Sequence, residues 1–174
     1  MSKYNKTIWT IGHSTRTIEA FLELLKIYGI ARLVDVRRFP GSQKFPQFNK
    51  ETLESVLHEE GFQYTHIEAL GGRRKSSPDS ANTVWNHPSF RGYADYMETS
   101  EFKDAFKQLE SLASKNSCAI MCSEAVWWRC HRSMVSDKLK AQGWEVIHIM
   151  GEKNQQEHPY TKPAKLKDGK LTYH

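Results

Sequence analysis

Short apolar runs alternate with helix-like patterns along this chain. The runs have the length and apolar content of strands, and they fall at 7–11, 31–36, 62–67, 118–122 and 144–149. Apolar residues spaced three and four positions apart predict helices at 17–28, 49–60, 93–97, 101–113 and 131–142. Strands that alternate with helices favour an α/β fold, with a mostly parallel five-stranded sheet and helices on both of its faces.

The last part of the chain, 151–174, is mostly polar. Its alternating pattern around Asp168-Gly169 predicts a β-hairpin, because Asp-Gly is a favoured pair for a two-residue turn. We expect a single α/β domain over 1–174, with 151–174 as a polar extension packed on it. The segment 71–90 is predicted as a long loop, and loops of that length are typically functional lids or mobile segments.

The composition is that of a folded protein rather than a disordered or membrane-spanning one. Of the 174 residues, 39% are hydrophobic and 26% are charged. No apolar run approaches the roughly 20 residues that a membrane span requires, and 1–6 lacks the apolar core of a signal peptide. Three cysteines do not suit a disulfide framework, so we expect a reducing, cytoplasmic location.

Basic residues outnumber acidic ones, which gives a net charge of +5 and an isoelectric point of about 9.1. This excess favours an anionic small molecule or nucleic acid as partner. An excess of this size also serves solubility alone. The position of the charges along the chain therefore matters more than their sum.

Polar residues follow the predicted strands at the points where parallel strands of an open sheet bind ligands, their carboxyl ends. They are His13 and Ser14 after the first strand, Asp35 and Arg37 at the second, Gly71, Gly72 and Arg73 after the third, Cys122 and Glu124 at the fourth, and His148 in the fifth. This convergence predicts a site at that edge of the sheet. A lone buried carboxylate is costly, so Asp35 is expected to pair with Arg37, in a functional or a purely structural role.

The loop that follows the second strand, 39–48, mixes phenylalanines with prolines and Lys44. Aromatic rings beside cations can stack a nucleobase, which makes Lys44 a ligand-binding candidate. The same phenylalanines could equally anchor the loop to the core.

The segment 121–132 holds the densest chemistry of the chain. Cys130 at a helix N-terminus, next to Arg129, His131 and Arg132, is expected to have a lowered pKa and to be nucleophilic. Cys122 is the other nucleophile candidate, with Glu124 as an acid or base. The spacing differs from that of the phosphatase loop with an arginine six positions after its cysteine, because Trp128 stands there.

Two further interpretations of this segment remain open. Cys122, Cys130 and His131 are zinc-ligand types, although consecutive residues diverge by about 100° on a helix. Arg129, Arg132 and the free backbone N–H groups at a helix start can also bind an anion without any chemistry. Cys118 and Cys122 could instead be small apolar side chains of a buried strand.

Several motifs in order resemble the domain-of-unknown-function family 488. They are 10–14 (Thr-Ile-Gly-His-Ser), 34–37 (Val-Asp-Val-Arg), 46–49 (Pro-Gln-Phe-Asn), 70–73 (Leu-Gly-Gly-Arg), 90–97, Cys122-Ser123-Glu124, Cys130-His131-Arg132, His158-Pro159 and 168–173. The resemblance implies a small α/β fold and places Arg91 and Tyr93 at the wall of the site. The chain departs from the family at 125–128, where Ala-Val-Trp-Trp replaces acidic residues and a proline.

These patterns support two functional hypotheses. The first is an enzyme acting on a phosphorylated small molecule, nucleotide or nucleic-acid component at the carboxyl edge of the sheet. Its candidate groups are His13, Glu124 and His131 as acid or base, Cys122 or Cys130 as nucleophile, and Arg37, Arg73 and Arg132 as anion clamps. The second is a non-catalytic nucleic-acid-binding or sensing module that uses the same basic edge. No pattern assigns a cofactor or an oligomeric state.

Overall fold

The computed structural model describes residues 6–41 and 43–174. The strands are β1 (Thr7–Gly12), β2 (Arg32–Asp35), β3 (Gln63–His66), β4 (Cys118–Cys122), β5 (Glu145–Gly151), β6 (Asn154–Glu157), β7 (Lys165–Lys167) and β8 (Lys170–Thr172). The α-helices are α1 (Ile18–Ile27), α2 (Lys50–Glu59), α3 (Pro88–Tyr96), α4 (Ser100–Lys115) and α5 (Arg132–Ala141). The predicted α/β class is confirmed.

The main sheet has the strand order β3-β2-β4-β1-β5-β6. Its first five members in this order run parallel, and β6 pairs antiparallel with β5. All five predicted strands are present, and β6 is an additional edge strand. Its sequence, Asn-Gln-Gln-Glu, is fully exposed and polar, so it carries no hydrophobic signal and is held through its backbone.

Helices cover both faces of the sheet, as the sequence predicts. On one face Phe21 and Leu25 of α1 and Leu53 of α2 form the core. On the other, Phe102 of α4 and Met134 of α5 do so. Side chains of β4 alternate between the two faces, which directs those of 118, 120 and 122 toward α5. The thiol at the end of β4 therefore points to the side on which α5 begins.

The predicted terminal hairpin is present as β7–β8. Its turn residues Asp168 and Gly169 both have left-handed backbones, with φ of 52° and 76°, as a two-residue turn of the favoured type requires. Beyond β8, the buried Tyr173 donates its hydroxyl to Oδ2 of Asp137 in α5, 2.7 Å away. The end of the chain is thus bonded to the helix that carries the site.

The predicted long loop ends at 87, where α3 begins, and Asp95 of α3 binds several of its residues. Asp95 accepts hydrogen bonds from the Ser77 backbone N–H (2.8 Å), the Ser80 hydroxyl (2.6 Å) and the Asn82 amide (2.7 Å). Burial alone raises the pKa of Asp95, but these bonds outweigh it and the pKa is lowered. Within the described ranges, no helix combines the length and apolarity needed to cross a bilayer.

Candidate functional site

Two thiols meet at the carboxyl edge of the sheet. β4 ends at Cys122, the chain turns through a short 3-10 helix at Trp127–Arg129, and Cys130 precedes α5. The two Sγ atoms lie 2.8 Å apart, and the residues are 2% and 7% exposed. Both cysteines are free. The chain between these two cysteines, which are eight positions apart, therefore folds back and brings the thiols into contact in the interior.

The two thiols differ in acidity. Burial alone raises the pKa of Cys130, but the S–H of Cys122, the charge of Arg132 and the Arg132 backbone N–H outweigh it and lower the pKa to about 7. The Arg132 N–H lies 3.4 Å from the Cys130 sulfur. Burial and the neighbouring Cys130 raise the pKa of Cys122 well above its usual value. Cys130 is therefore the more acidic thiol of the pair.

His131 is oriented as a base for Cys130. Its Nε2 lies 3.1 Å from the Val36 carbonyl oxygen, which only accepts, so Nε2 carries the proton. The lone pair of Nδ1 then faces the Cys130 sulfur at 3.5 Å. Burial lowers the pKa of His131, which keeps the ring neutral at pH 7. A Cβ on Gly72 would lie only 3.0 Å from Nδ1, so this glycine leaves room for the imidazole.

Arg132 is a buried cation beside these sulfurs. It is 1% exposed and donates from Nη2 to the Glu124 carbonyl (2.8 Å) and from Nη1 to the Thr10 hydroxyl (3.3 Å). Its Nε has no hydrogen-bond partner within the described residues, and no carboxylate among them forms an ion pair with it. A buried cation is costly without an anion. The Cys130 thiolate provides that negative charge.

A chain of buried hydrogen bonds runs from Arg132 to Asp137, and we call it the hydrogen-bond chain. Thr10 Oγ1 lies 2.5 Å from His148 Nδ1, His148 Nε2 lies 2.8 Å from His158 Nδ1, and His158 Nε2 lies 2.8 Å from Asp137 Oδ1. Because the guanidinium only donates and the carboxylate only accepts, Arg132 donates to Thr10 and His158 donates to Asp137. A buried cation and a buried carboxylate are thus joined through one hydroxyl and two imidazoles.

The middle of this hydrogen-bond chain is buried away from water. The Trp127 ring stacks on His148, with centroids 4.6 Å apart and planes 5° apart, and its Nε1 donates to Gln156 of β6 at 3.0 Å. Burial lowers the pKa of His148 to about 2, with His158 and Arg132 as further causes. His148 is therefore neutral over the whole physiological range.

These buried histidines predict acid sensitivity of the fold. The pKa of His13, His131 and His148 is lowered by burial, so below about pH 6.5 the unfolded chain binds protons that the native one does not. These histidines add no pH dependence to the free energy of unfolding above pH 7, where the lowered pKa of Cys130 should instead make this free energy rise up to about pH 9. The free energy should fall below pH 6 by up to about 1.4 kcal/mol per pH unit for each such histidine.

Urea unfolding at several pH values tests this dependence. His58→Gln is the control, because His58 is exposed and should leave the curve unchanged. A free energy of unfolding that is the same at pH 7.5 and about pH 5 would contradict the neutral, buried state of these rings.

A second cluster surrounds Asp35 next to the thiol pair. The buried carboxylate accepts from Arg37 N–H (3.1 Å), Nε (2.9 Å) and Nη2 (2.7 Å), and from the Tyr64 hydroxyl (2.6 Å). The remaining nitrogen of the guanidinium, Nη1, lies 3.4 Å from His13 Nε2. The His13 ring stacks on Phe48 with centroids 4.4 Å apart. The predicted pairing of Asp35 with Arg37 is thus found, and it leaves Nη1 of Arg37 directed toward His13.

The two clusters share one backbone segment. Val36, whose carbonyl orients His131, lies between Asp35 and Arg37. His13 donates Nδ1–H to the Ser14 carbonyl at 2.9 Å, which leaves Nε2 unprotonated toward Arg37. Burial and the charge of Arg37 lower the pKa of His13, although its bond to Ser14 and the charge of Asp35 oppose this.

The rim of the site is basic and aromatic. Phe39 is 59% exposed, and the guanidinium carbons of Arg38 and Arg73 lie 5.2 and 5.9 Å from its ring centroid. Arg38 also donates to the Arg73 carbonyl at 2.8 Å. Trp128 is 51% exposed, next to the exposed Arg129. The rim therefore offers cations and flat apolar surfaces side by side.

The remaining residues predicted for the site differ in burial and in their hydrogen-bond partners. Arg91 donates to the Trp85 carbonyl at 3.1 Å, and buried Tyr93 donates its hydroxyl to the Leu70 carbonyl at 2.7 Å with its ring 5.0 Å from that of His131. Glu124 is exposed, while Gly71 packs against the backbone of Arg38. Lys44 is exposed and lies 5.6 Å from the ring of Phe45. Within 6–41 and 43–174, no three His, Cys, Asp or Glu side chains form a metal-binding group.

The loop 123–129 joins the two thiols. A surface cavity of about 560 Å³ is lined by residues such as Asn82, Lys138 and Tyr173 and does not include the cysteines. Loop residues 123–125 and 128–129 are exposed, whereas both cysteines are buried. We therefore expect a phosphorylated substrate to reach Cys130 by movement of this loop.

The loop rests on Gly12. A Cβ at position 12 would lie 1.7 Å from the carbonyl oxygen of Glu124, the same oxygen that accepts from Arg132. We expect Gly12→Ala to lower the free energy of unfolding by about 2 kcal/mol and to raise the alkylation rate of Cys122. Gly41→Ala is the matched control, because nothing lies within 4 Å of a Cβ there. Equal stability of the two variants would show that the loop does not need this contact.

The sequence patterns do not predict most residues of the buried hydrogen-bond chain. Asp137 lies within an amphipathic helix, where a carboxylate ordinarily faces water, and Thr10 resembles any strand threonine. A usable signal was available in His148 and His158, two histidines that flank a polar hairpin. The contact of Tyr64 with Asp35 depends on strand pairing between β2 and β3, which no local pattern reveals.

The fold and site define a small α/β protein with a thiol–imidazole pair at the carboxyl edge of its sheet. The family model described as domain of unknown function DUF488 matches residues 17–139, about 70% of the chain. The chain belongs to this family. The match includes the thiol pair and Arg132, whereas Thr10, His148 and His158 lie outside it. No curated protein and no solved structure matched this chain.

Proposed function

We propose that this protein is an enzyme whose nucleophile is the Cys130 thiolate. Its substrate is anionic: a phosphorylated small molecule, a nucleotide or a nucleic-acid component. The observation that carries the proposal is the environment of the Cys130 sulfur, with the Arg132 N–H at 3.4 Å, the His131 Nδ1 at 3.5 Å and the Cys122 sulfur at 2.8 Å. Activated cysteines are found in such electropositive positions at helix N-termini.

The groups divide the chemistry among them. The Cys130 thiolate attacks the electrophilic centre of the substrate, forms a covalent intermediate and expels the leaving group, which takes its proton from solvent. The neutral His131 Nδ1 then accepts a proton from the water that hydrolyses the intermediate. Arg132 and the first N–H groups of α5 stabilise negative charge at this point.

The preference for an anion comes from the basic rim. Arg73 and Arg129 are exposed at the edge, Arg38 is partly exposed, and the carboxylate of Asp35 is occupied by Arg37. The rim therefore attracts phosphate groups to the loop above the thiols. Nη1 of Arg37 lies outside its pair with Asp35 and turns toward His13.

Turnover of a panel of phosphomonoesters, nucleotides and short oligonucleotides tests the proposal. We expect product release by the wild-type protein and a loss of at least about a thousandfold in Cys130→Ser, with circular dichroism unchanged. Cys118→Ser is the matched control, because Cys118 is buried at the far end of the same strand. Turnover that survives in Cys130→Ser, or no turnover of any panel member, would overturn the proposal.

A non-catalytic nucleic-acid-binding or sensing module is the second candidate. The exposed Phe39 between Arg38 and Arg73, with Trp128 exposed as well, favours it because such surfaces stack bases. This function predicts affinity for single-stranded oligonucleotides that falls steeply with salt and is unaffected by Cys122→Ser. Weak, salt-independent binding would exclude it.

A further inference from the structure

We propose that Cys122 and Cys130 form a redox-active dithiol that reduces a hydroperoxide, with Cys130 as the attacking sulfur and Cys122 as the resolving one. The inference goes beyond the proposed function, because it uses the same sulfur but requires no anionic substrate. The observation behind it is the 2.8 Å contact between two free thiols.

The geometry already brings together the two sulfurs that a disulfide joins. A disulfide has an S–S bond of about 2.05 Å, so closure from 2.8 Å needs a movement of less than 1 Å along the line between the sulfurs. Cys122 is held at the end of a central strand, and Cys130 at the start of a helix. Small movements of the loop between them are enough to close or open the bond.

The surroundings assign different roles to the two sulfurs. The Cys130 sulfur lies 3.4 Å from the Arg132 N–H, at the start of a helix, and 3.5 Å from an imidazole nitrogen. Cys122 lies 3.8 Å from a backbone carbonyl oxygen, that of Glu124, which disfavours its anion. Cys130 is thus the sulfur that attacks, and Cys122 is a thiol held ready beside it.

Burial favours a small neutral oxidant over a large one. The cysteines are 2% and 7% exposed, and the cavity lined by Asn82, Lys138 and Tyr173 does not include them. Hydrogen peroxide has only two heavy atoms and carries no charge. It can reach the sulfurs with less movement of the loop 123–129 than a phosphorylated substrate requires.

The reaction has two steps. The Cys130 thiolate takes the terminal oxygen of the hydroperoxide, the O–O bond breaks, and the alcohol or water leaves after gaining a proton; Cys130 becomes a sulfenic acid. The Cys122 sulfur then attacks the Cys130 sulfur, the S–O bond breaks, and hydroxide leaves with the Cys122 proton as water. Two electrons pass from the thiols to the peroxide, and an external dithiol restores the pair by exchange.

Arg132 favours return to the reduced state. In the disulfide the buried guanidinium loses the thiolate, and no carboxylate of the described residues replaces it. Stabilising the reduced thiolate makes a disulfide easier to reduce. The pair is therefore suited to cycling rather than to permanent cross-linking.

The test treats reduced full-length protein with one equivalent of hydrogen peroxide, without any other substrate. We expect loss of two thiols, a mass lower by about 2 Da, and recovery of both with dithiothreitol. Trypsin cleaves after Arg129 and Arg132, so the Cys130 peptide is separate from the one with Cys122 unless a disulfide joins them. Cys118→Ser removes the other thiol of that second peptide and should behave as the wild type.

Single variants separate the roles. Cys122→Ser, or Cys122→Ala if the serine variant fails to fold, should stop at a Cys130 sulfenic acid that dimedone labels. Cys130→Ser should react with peroxide at least about a hundredfold more slowly. Oxidation of wild-type Cys130 with Cys122 left free, or a Cys130 no faster than Cys118, would overturn the dithiol. Alkylation of Cys130 at neutral pH in that case would leave the proposed nucleophile intact.

Discussion

Replacing Asp35 by alanine is expected to lower the free energy of unfolding by about 3–5 kcal/mol, the cost of breaking a buried ion pair from one side. The carboxylate is fully buried and accepts four hydrogen bonds, three of them from Arg37. Without it, the 7%-exposed Arg37 keeps its charge and loses its anion. Urea unfolding at neutral pH measures the loss.

The exposed pair Lys26–Glu60 provides the matched control. Both of its side chains are about half exposed and 3.4 Å apart, so Glu60→Ala should cost at most about 1 kcal/mol. The double variant Asp35→Leu with Arg37→Met removes both charges and should recover most of the stability lost in Asp35→Ala. A double variant as unstable as Asp35→Ala would show that the cost comes from packing rather than from the unpaired charge.

Replacing Arg132 by methionine is expected to move the midpoint of Cys130 alkylation from about pH 7 to above about 9, beyond the ordinary value of a thiol, because burial raises the pKa of Cys130. The physical reason is that the guanidinium charge and its N–H groups offset the cost of burying a thiolate. A change of two pH units corresponds to about 2.7 kcal/mol of lost anion stabilisation. The measurement is alkylation by iodoacetamide as a function of pH, read by peptide mapping.

Two variants isolate the charge of Arg132. Arg132→Lys keeps a cation and should give a midpoint between those of the wild type and the methionine variant. Arg129→Met removes an exposed arginine from the same loop and should leave the midpoint unchanged, because water screens its charge. A midpoint that is insensitive to Arg132→Met would assign the acidity of Cys130 to other groups.

The fold could be predicted because burial leaves a pattern in the sequence. β1 to β5 and their helices each bury an apolar face, and Asp168-Gly169 is a turn signal in itself. β6 was not predictable in this way, since all four of its residues are exposed and polar. Strand order was also out of reach, because it depends on which apolar faces meet in space.

The sequence predicts which residues of the site lie near one another, but it does not predict their contacts. The sequence places Cys122, Cys130, His131 and Arg132 at one edge, because strand ends and helix starts meet there. It contains no information on the path of 123–129, and that path decides whether the two sulfurs touch. The orientation of His131 depends in the same way on the carbonyl of Val36, which follows β2.

The chain of bonds from Arg132 to Asp137 shows a further limit of local patterns. Its members come from β1, β5, α5 and the segment after β6. Each is an ordinary residue in its own element, and only the assembled fold brings them into hydrogen-bonding contact. The hydrogen-bond chain also explains why Trp127 is buried while its neighbour Trp128 is exposed, since Trp127 covers His148.

The central claim is that Cys130 is an activated thiolate, and the pH dependence of alkylation at all three cysteines tests it most directly. We expect a midpoint near pH 7 at Cys130, whereas Cys122 and Cys118 should not titrate below about pH 9, since burial raises the pKa of both. Thiolate ultraviolet absorbance, which needs no reagent to enter the site, provides the parallel reading. A Cys130 midpoint at or above about 8.5 by both methods would contradict the account.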